Sequence, residues 1–334
     1  MNTKSILDKL TAHRGAAGMN NIANAAAELL SPYCAVTTDQ MGNVIGTIAG
    51  DNSRHIMLEA HADEVGFIVT HVDDDGFANV ANCGGIDGKM LPGTAVTIHA
   101  EIPIPGVFCS TPPHLSKDGG QPQLCIDAGL GANAAKEQIT PGTPVTFDIT
   151  PATLPGGQYT GAGLDNRAGL ASLILAAAKI SANPPGCKVS FLLSAGEEIN
   201  CYGAKTAAFS IEPSEAIVVD VTFASSHGTP PNITGVLGGG PMIGRSPTLD
   251  RRISLELADI ANSNSIPHQF EVMGGKTSTS ADVIGVSRGG IPTGLLSVPL
   301  RYMHTPVETI DLADVEHCAQ LIHKYVCKGG ESDD

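Results

Sequence analysis

The chain contains no tryptophan, and aromatic residues make up only 4% of it. That scarcity leaves no stacked platform on which a sugar ring would lie. Basic residues are few as well: 19 Lys and Arg stand against 34 Asp and Glu, for a formal charge of −15. With no run of Lys and Arg to line up phosphates, the composition speaks against a nucleic-acid binder. No apolar segment approaches the roughly 18 to 20 residues needed to cross a bilayer. Met1 to Leu10 lacks the uninterrupted apolar core of a signal peptide. The eight cysteines form no CxxC pair, so zinc-finger and thioredoxin-like readings fall away, and reduced thiols of a cytoplasmic protein are expected. Internal repeats and low-complexity tracts are absent too.

What the chain does hold is enough apolar sequence for a packed core. It has 334 residues, 42% hydrophobic and 16% charged, sufficient for one large domain or two ordinary ones. Residues 5 to 31 carry helical spacing, with Ile6, Leu7 and Leu10 on one face and an alanine-rich run near 22–30 that Pro32 stops. Two strand-like segments follow, at 43–48 and 55–61. From about 70 to 157, short β-branched runs alternate with turns such as Leu91-Pro92-Gly93 and Thr140-Pro141-Gly142, the pattern of a small all-β module. After 158, helical runs at 164–180, 254–263 and 311–325 alternate with strand-like 188–193, 216–223, 268–273 and 294–298. This predicts an α/β fold: a three-layer α/β/α domain with a mixed central sheet, plus a small inserted all-β domain. The expected boundaries are 1–69 and 158–334 for the discontinuous main domain and 70–157 for the insertion. The proline-rich stretches 103–113 and 119–122 read as exposed loops or interface elements.

Candidate functional side chains fall in loops at strand ends, where such folds gather their sites. Ser194-Ala195-Gly196-Glu197-Glu198 follows the apolar run 189–193. Two adjacent acids at the end of a buried strand are costly without a cation or partner; a solvated acidic turn is the simpler alternative. In His61-Ala62-Asp63 the first and third residues of an extended segment share a face. Asp63 could then hydrogen-bond one His61 nitrogen while the other binds a metal, or the two could pair with no metal at all. Asp165, in Gly163-Leu164-Asp165-Asn166, reads as a helix cap or a ligand. Asp220 follows Ile217-Val218-Val219, and His304 lies just after the 294–298 strand. A turn residue and a satisfied loop histidine are their simpler roles. Together, three carboxylates and two histidines offer the oxygen and nitrogen donors that zinc, cobalt or manganese accept.

Five motifs, in their order and gaps, resemble the M42 metallo-aminopeptidases, the glutamyl and tetrahedral aminopeptidase group. They are His61-Ala62-Asp63-Glu64-Val65-Gly66-Phe67, Leu164-Asp165-Asn166-Arg167-Ala168-Gly169, Glu197-Glu198, Val219-Asp220-Val221 and Arg301-Tyr302-Met303-His304-Thr305-Pro306-Val307-Glu308. The likeness spans nearly the whole chain, including the β module with Ile126-Asp127-Ala128-Gly129. It implies a metal-dependent aminopeptidase that releases N-terminal residues from short peptides. Two divalent ions per subunit are implied, zinc or cobalt first and manganese as the further option. His61, Asp165 and Asp220 would hold one, and Asp165, Glu198 and His304 the other, with Asp165 as the bridge. Glu197 would act as general base on the activated water, and Asp63 would orient His61. The resemblance further implies a cis Asp165–Asn166 peptide and a homo-oligomer, a dodecamer built from dimers through the inserted module.

The chain departs from that pattern in two places. Where relatives have Gly-Thr-Asp-Ala, it has Thr277-Ser278-Thr279-Ser280-Ala281-Asp282, with Ser280 at the aspartate's position. The Ile199-Asn200-Cys201-Tyr202-Gly203 segment also differs, and leaves Cys201 near the proposed site as a contact or a buried thiol. A broad specificity, or one for acidic and neutral N-terminal residues, is the leading expectation. A glycoside hydrolase using Glu197 and Glu198, and a non-catalytic metal-binding assembly protein of the same fold, are the competing readings.

Overall fold

The computed structural model describes residues 2–16, 18–19, 21–51, 53–112, 114–115 and 124–328. Pro113 and the 119–122 stretch, expected as loop or interface, lie outside the described residues. Helices α1 (Thr3–Thr11) and α2 (Asn21–Leu30) precede strands β1 (Ala35–Thr38), β2 (Val44–Ile48) and β3 (His55–His61). Next come β4 (Gly66–Val72), β5 (Ala78–Cys83), β6 (Ala95–Ile98), β7 (Ile104–Phe108), β8 (Cys125–Asp127), α3 (Ala132–Gln138) and β9 (Pro144–Phe147). Strands β10 (Ala152–Thr153) and β11 (Gln158–Gly161) lead into α4 (Leu164–Ala182), β12 (Lys188–Ser194), α5 (Glu197–Asn200), α6 (Tyr202–Ile211) and β13 (Glu215–Phe223). The chain continues through β14 (Met242–Arg245), α7 (Arg251–Ser263), β15 (Gln269–Val272) and α8 (Ala281–Ile284). It then runs through β16 (Thr293–Arg301), β17 (Glu308–Asp311) and α9 (Leu312–Cys327).

Eleven strands form one mixed sheet, in the order β1-β2-β12-β3-β13-β16-β17-β11-β10, with β14 against β16 and β15 against β14. Its centre, β12-β3-β13-β16, is parallel, while β2 and β17 join it antiparallel. Parallel strands are covered on both faces, and the sequence shows why these four are. Alternate residues point to opposite sides. Ile56, Leu58, Phe191, Ile217, Val219 and Leu296 join an apolar cluster that contains residues of α4 and α9. Met57, Leu192, Ala216, Val218 and Leu295 join a second one with Ala204 and Ala207 of α6. On β3 the second parity continues through Glu59 to His61, so the site grows out of one face of the sheet.

Strands β4 to β9 close into a six-stranded barrel, in the order β4-β5-β8-β7-β6-β9. Phe67 packs edge-on against Phe108 at 4.8 Å and Phe147 at 5.6 Å between centroids, filling the interior. Only four residues separate His61 from the first barrel strand, which ties the barrel to the site.

Three details differ from the sequence reading. The helical stretch expected over 5–31 is two helices, interrupted between Thr11 and Asn21, where the Gly15 amide donates to Glu64 Oε1 at 2.7 Å. The β module carries a helix, α3, too short for a periodicity argument to find. Asp220 lies inside β13, not at its end, since the strand continues through Thr222 to Phe223. All eight cysteines are free thiols. Among the described residues, no helix is long and apolar enough to cross a membrane.

Candidate metal centre

The first ligand candidates are held by their backbone neighbours. His61 Nδ1 donates to the Asp63 carbonyl at 3.0 Å, and His304 Nδ1 donates to the Gly85 carbonyl at 2.7 Å. A carbonyl only accepts, so both rings carry the proton on Nδ1 and turn Nε2 toward the carboxylates. Gly85 follows β5, so the barrel orients one of the two histidines. The sequence led us to expect the Asp63 carboxylate to orient His61. The backbone carbonyl makes the closer contact, while the carboxylate oxygen stands 3.6 Å from Nδ1. That carboxylate accepts from the amides of Glu197 at 3.0 Å and Glu198 at 3.2 Å. It aligns the first turn of α5 and so aims both acids.

Asp165 stands at the centre. Its Oδ1 lies 3.0 Å from His61 Nε2 and its Oδ2 lies 3.4 Å from His304 Nε2. His61 Nε2 is also 3.7 Å from Asp220 Oδ1, and His304 Nε2 is 3.4 Å from Glu198 Oε1. Candidate ligand atoms fall into three groups, each within 4.8 Å: His61–Asp165–Asp220, Asp165–Glu198–His304 and His61–Glu197–Glu198. The first two share Asp165. The Asp165–Asn166 peptide is cis. The capping role read for Asp165 falls to its neighbour Asn166, whose Oδ1 accepts from the Gly169 amide at 2.9 Å.

The surrounding frame is built from buried charge. Arg167, 1% exposed, forms a fork to both oxygens of Glu64 at 3.0 Å and donates to the carbonyls of Leu10, His13 and Gly163. Gly163, at φ 70°, has to be glycine, because a Cβ there would collide with that guanidinium and carboxylate. Burial works against the charge on Glu64, yet Arg167 and Arg14 outweigh it and hold the carboxyl below its usual range.

Titration within the centre follows the same physics. Burial opposes ionisation of Asp165, but the two histidines win and its carboxyl sits well below the usual range. Burial would lower His304, yet Asp165 and Glu198 push it up to about 11. Glu197 moves the other way: burial and the nearby Asp220, Glu198 and Asp165 carry it up to about 8, although His61 opposes the shift. Burial likewise raises Glu198 and Asp220. A cluster this rich in carboxylates, with two imidazole nitrogens facing it and no Lys or Arg among the described residues that line its cavity, has the donor set of a divalent cation site.

The structure brings together every residue singled out from the sequence: His61, Asp63, Asp165, Glu197, Glu198, Asp220 and His304. It gives roles to Glu308 and Glu59, to which the sequence reading assigned none, and shows what Cys201 and Asp282 contact. Glu308, 1% exposed, accepts from the amides of Asp165 at 3.1 Å and His304 at 2.7 Å, so one carboxylate fixes the backbone of two candidate ligands. Glu59 lies behind His61, takes a 2.5 Å hydrogen bond from Ser194 Oγ, and is pushed up to about 7 by burial. Its signal was legible: an acid interrupts an apolar strand at the same parity as His61. Cys201 donates to Glu197 Oε1 at 3.5 Å, and Asp282 accepts from the amides of Thr277 and Ser278. The centre opens into a cavity of about 250 Å³, whose lining also includes Thr222, Phe223, Glu271, Ser297 and Met303.

Comparison with known proteins agrees along the chain. The lysyl aminopeptidase of Pyrococcus furiosus is 31% identical over 296 residues, covering 86% of this chain and 85% of that one. An aminopeptidase structure from Desulfurococcus kamchatkensis superposes with a TM-score of 0.91 at 29% identity, over 98% of this chain and 95% of the other. The Pyrococcus horikoshii TET1 peptidase, described as assembling into a tetrahedron or a large octahedral shell, gives 0.87 at 29% identity, over 98% and 100%. The family model described as M42 glutamyl aminopeptidase matches residues 42–321, and the chain belongs to that family.

Proposed function

We propose that the protein is a metal-dependent aminopeptidase releasing N-terminal residues from short peptides, with His61, Asp165 and Asp220 holding one divalent ion and Asp165, Glu198 and His304 a second. The observation that carries this reading is the pair of ligand groups sharing Asp165. Zinc, cobalt or manganese bound there would polarise the scissile carbonyl and acidify the attacking water. Glu197 belongs to neither of these two groups. Its carboxyl stands beside them, held in place through the Asp63 bonds to the α5 amides, and is suited to take a proton from the water and return it to the leaving amine.

The barrel is proposed to be the oligomerisation and lid element, and the protein a homo-oligomer, a dodecamer built from dimers that admits only short peptides. Its Gly85 carbonyl, bonded to His304, supports the coupling of barrel and site. The glycosidase alternative finds no support in the geometry. Glu197 and Glu198 present carboxylate oxygens within 4.8 Å of each other from a single turn. Flanking a sugar bond needs carboxyls about 5 to 9.5 Å apart on opposite sides. The test is chelation: hydrolysis of aminoacyl amides is abolished and returns with zinc or cobalt. Undiminished turnover after exhaustive metal removal would overturn the proposal, and bound metal with no turnover of any peptide would support the non-catalytic alternative.

A further inference from the structure

We infer that Glu271 makes this site selective for peptides whose N-terminal residue carries a cationic side chain, lysine above all; this rests on the aminopeptidase reading given above. Five carboxylates line the 250 Å³ cavity: Asp165, Glu197, Glu198, Asp220 and Glu271. The first four lie in the candidate ligand groups, and Glu271 lies in none of them. Two divalent ions would balance the charge of those four and leave that of Glu271 uncompensated. Among the described residues, no Lys or Arg lines the cavity to offset it.

Its geometry is that of a receptor and not of a stray surface acid. Glu271 projects from β15, and its two oxygens are held separately, one by the Thr222 hydroxyl and the other by the Ser297 hydroxyl at 2.9 Å. Both hydroxyls are buried, Thr222 at 3% and Ser297 at 1% exposure, so the carboxylate is fixed in one orientation. Ser297 lies directly beside Asp220 in the β13–β16 register, which sets Glu271 one side chain away from the ligand group. Burial pushes the Glu271 carboxyl up, the two hydroxyls oppose this, and Asp220 adds to the rise. A cation brought by the substrate relieves that cost.

The rest of the wall fits a long side chain with a charged tip. With the terminal amine at the ligand groups, the first side chain would enter the rest of the cavity, whose lining includes Glu271, Phe223 and Met303. A four-carbon stem packs against these apolar groups while its ammonium reaches Glu271. An acidic side chain there would meet a like charge, so the specificity expected from the sequence, broad or for acidic and neutral residues, gives way here to a basic one.

Norleucine matches lysine without the ammonium, so the experiment compares lysyl and norleucyl p-nitroanilides on the zinc- or cobalt-loaded protein. Calorimetry of free L-lysine and L-norleucine binding runs beside it. The wild type is expected to prefer lysine in both measurements, and Glu271→Gln to cut the lysyl-to-norleucyl ratio of kcat/KM by about 10- to 100-fold, the worth of a charge-assisted hydrogen bond. An unchanged ratio in the variant, or no lysine preference in the wild type, overturns the inference; the wild-type arms decide alone if the variant does not fold. Tighter lysine binding with no hydrolysis of either anilide upholds the role of Glu271 while refuting the aminopeptidase reading.

Discussion

Between Val65 and Asp148 the only buried polar side chains among the described residues are Thr143 and Thr146. Over the large sheet, by contrast, Glu59, His61, Asp165, Arg167, Asp220 and Glu308 are all below 10% exposure. The barrel is held by what it removes from water, at roughly 25 cal/mol for each Å² of apolar surface. The sheet carries a cost of several kcal/mol for each charge it buries, offset only where a partner is supplied. Arg167 supplies one for Glu64, while Glu308 takes two backbone amides. The carboxylates around Asp165 have two imidazoles and a place for cations. Stability alone gives no reason to concentrate charge in this way, and the contrast sets the candidate metal centre on the sheet even though both regions fold around apolar cores.

The sharpest test of that contrast separates chemistry from folding at one residue. Glu197→Gln is expected to lower kcat by about 10² to 10⁴, the range for a lost general base, while metal content and thermal midpoint stay near wild type. Burial already disfavours the charge on Glu197, so an isosteric neutral amide costs the fold little. Turnover near the wild-type rate would take the general-base role away from Glu197.

Next in size are two truncations of similar cost and opposite character. Arg167→Met leaves Glu64 buried and unpaired, for an expected loss of about 3–5 kcal/mol. Phe67→Ala empties the barrel core for a loss of about 3–5 kcal/mol. Their pH dependence tells them apart. Glu64 is held below its usual range in the fold, so its contribution is complete above the unfolded carboxylate value of about 4.3 and fades as pH falls through the folded one. Denaturant titrations should therefore show the gap between wild type and Arg167→Met narrowing in acid, while the Phe67→Ala gap holds constant. Parallel behaviour of the two would show that the ion pair contributes packing and no electrostatics.

The same contrast explains what the sequence made legible. Strand and helix alternation exposed the α/β plan because burial imposes periodicity, and the dense turns of 70–157 marked the barrel. His61, Asp165, Glu197, Glu198, Asp220 and His304 stood out because acids and histidines are conspicuous beside apolar runs. Supporting roles were harder to see. Glu308 and Asp63 act through backbone amides of other segments, and no spacing rule joins residue 63 to residues 197 and 198. Glu271 lies in a short strand of mixed burial, and its meaning depends on Thr222 and Ser297, which reach it from two other strands. Pair contacts between distant strands are a product of topology, which a single sequence leaves unstated.

The smallest expected effect concerns a charge on the barrel. Lys136 of α3 reaches Asp74 at 2.6 Å, a shorter contact than the Arg167–Glu64 fork, yet the Asp74 side chain is fully exposed. Hydrogen bonding and charge from Lys136 hold the Asp74 carboxyl below its usual value. Water and salt screen such a pair, and holding two mobile side chains together costs entropy. Lys136→Ala should leave the thermal midpoint within error of wild type at low and at high salt. The loss in Arg167→Met should persist at high salt, because buried pairs are screened far less. Burial, and not the separation of the charges, then sets what an ion pair is worth in this fold. A Lys136→Ala loss comparable with that of Arg167→Met would remove the distinction between the two regions at its physical root.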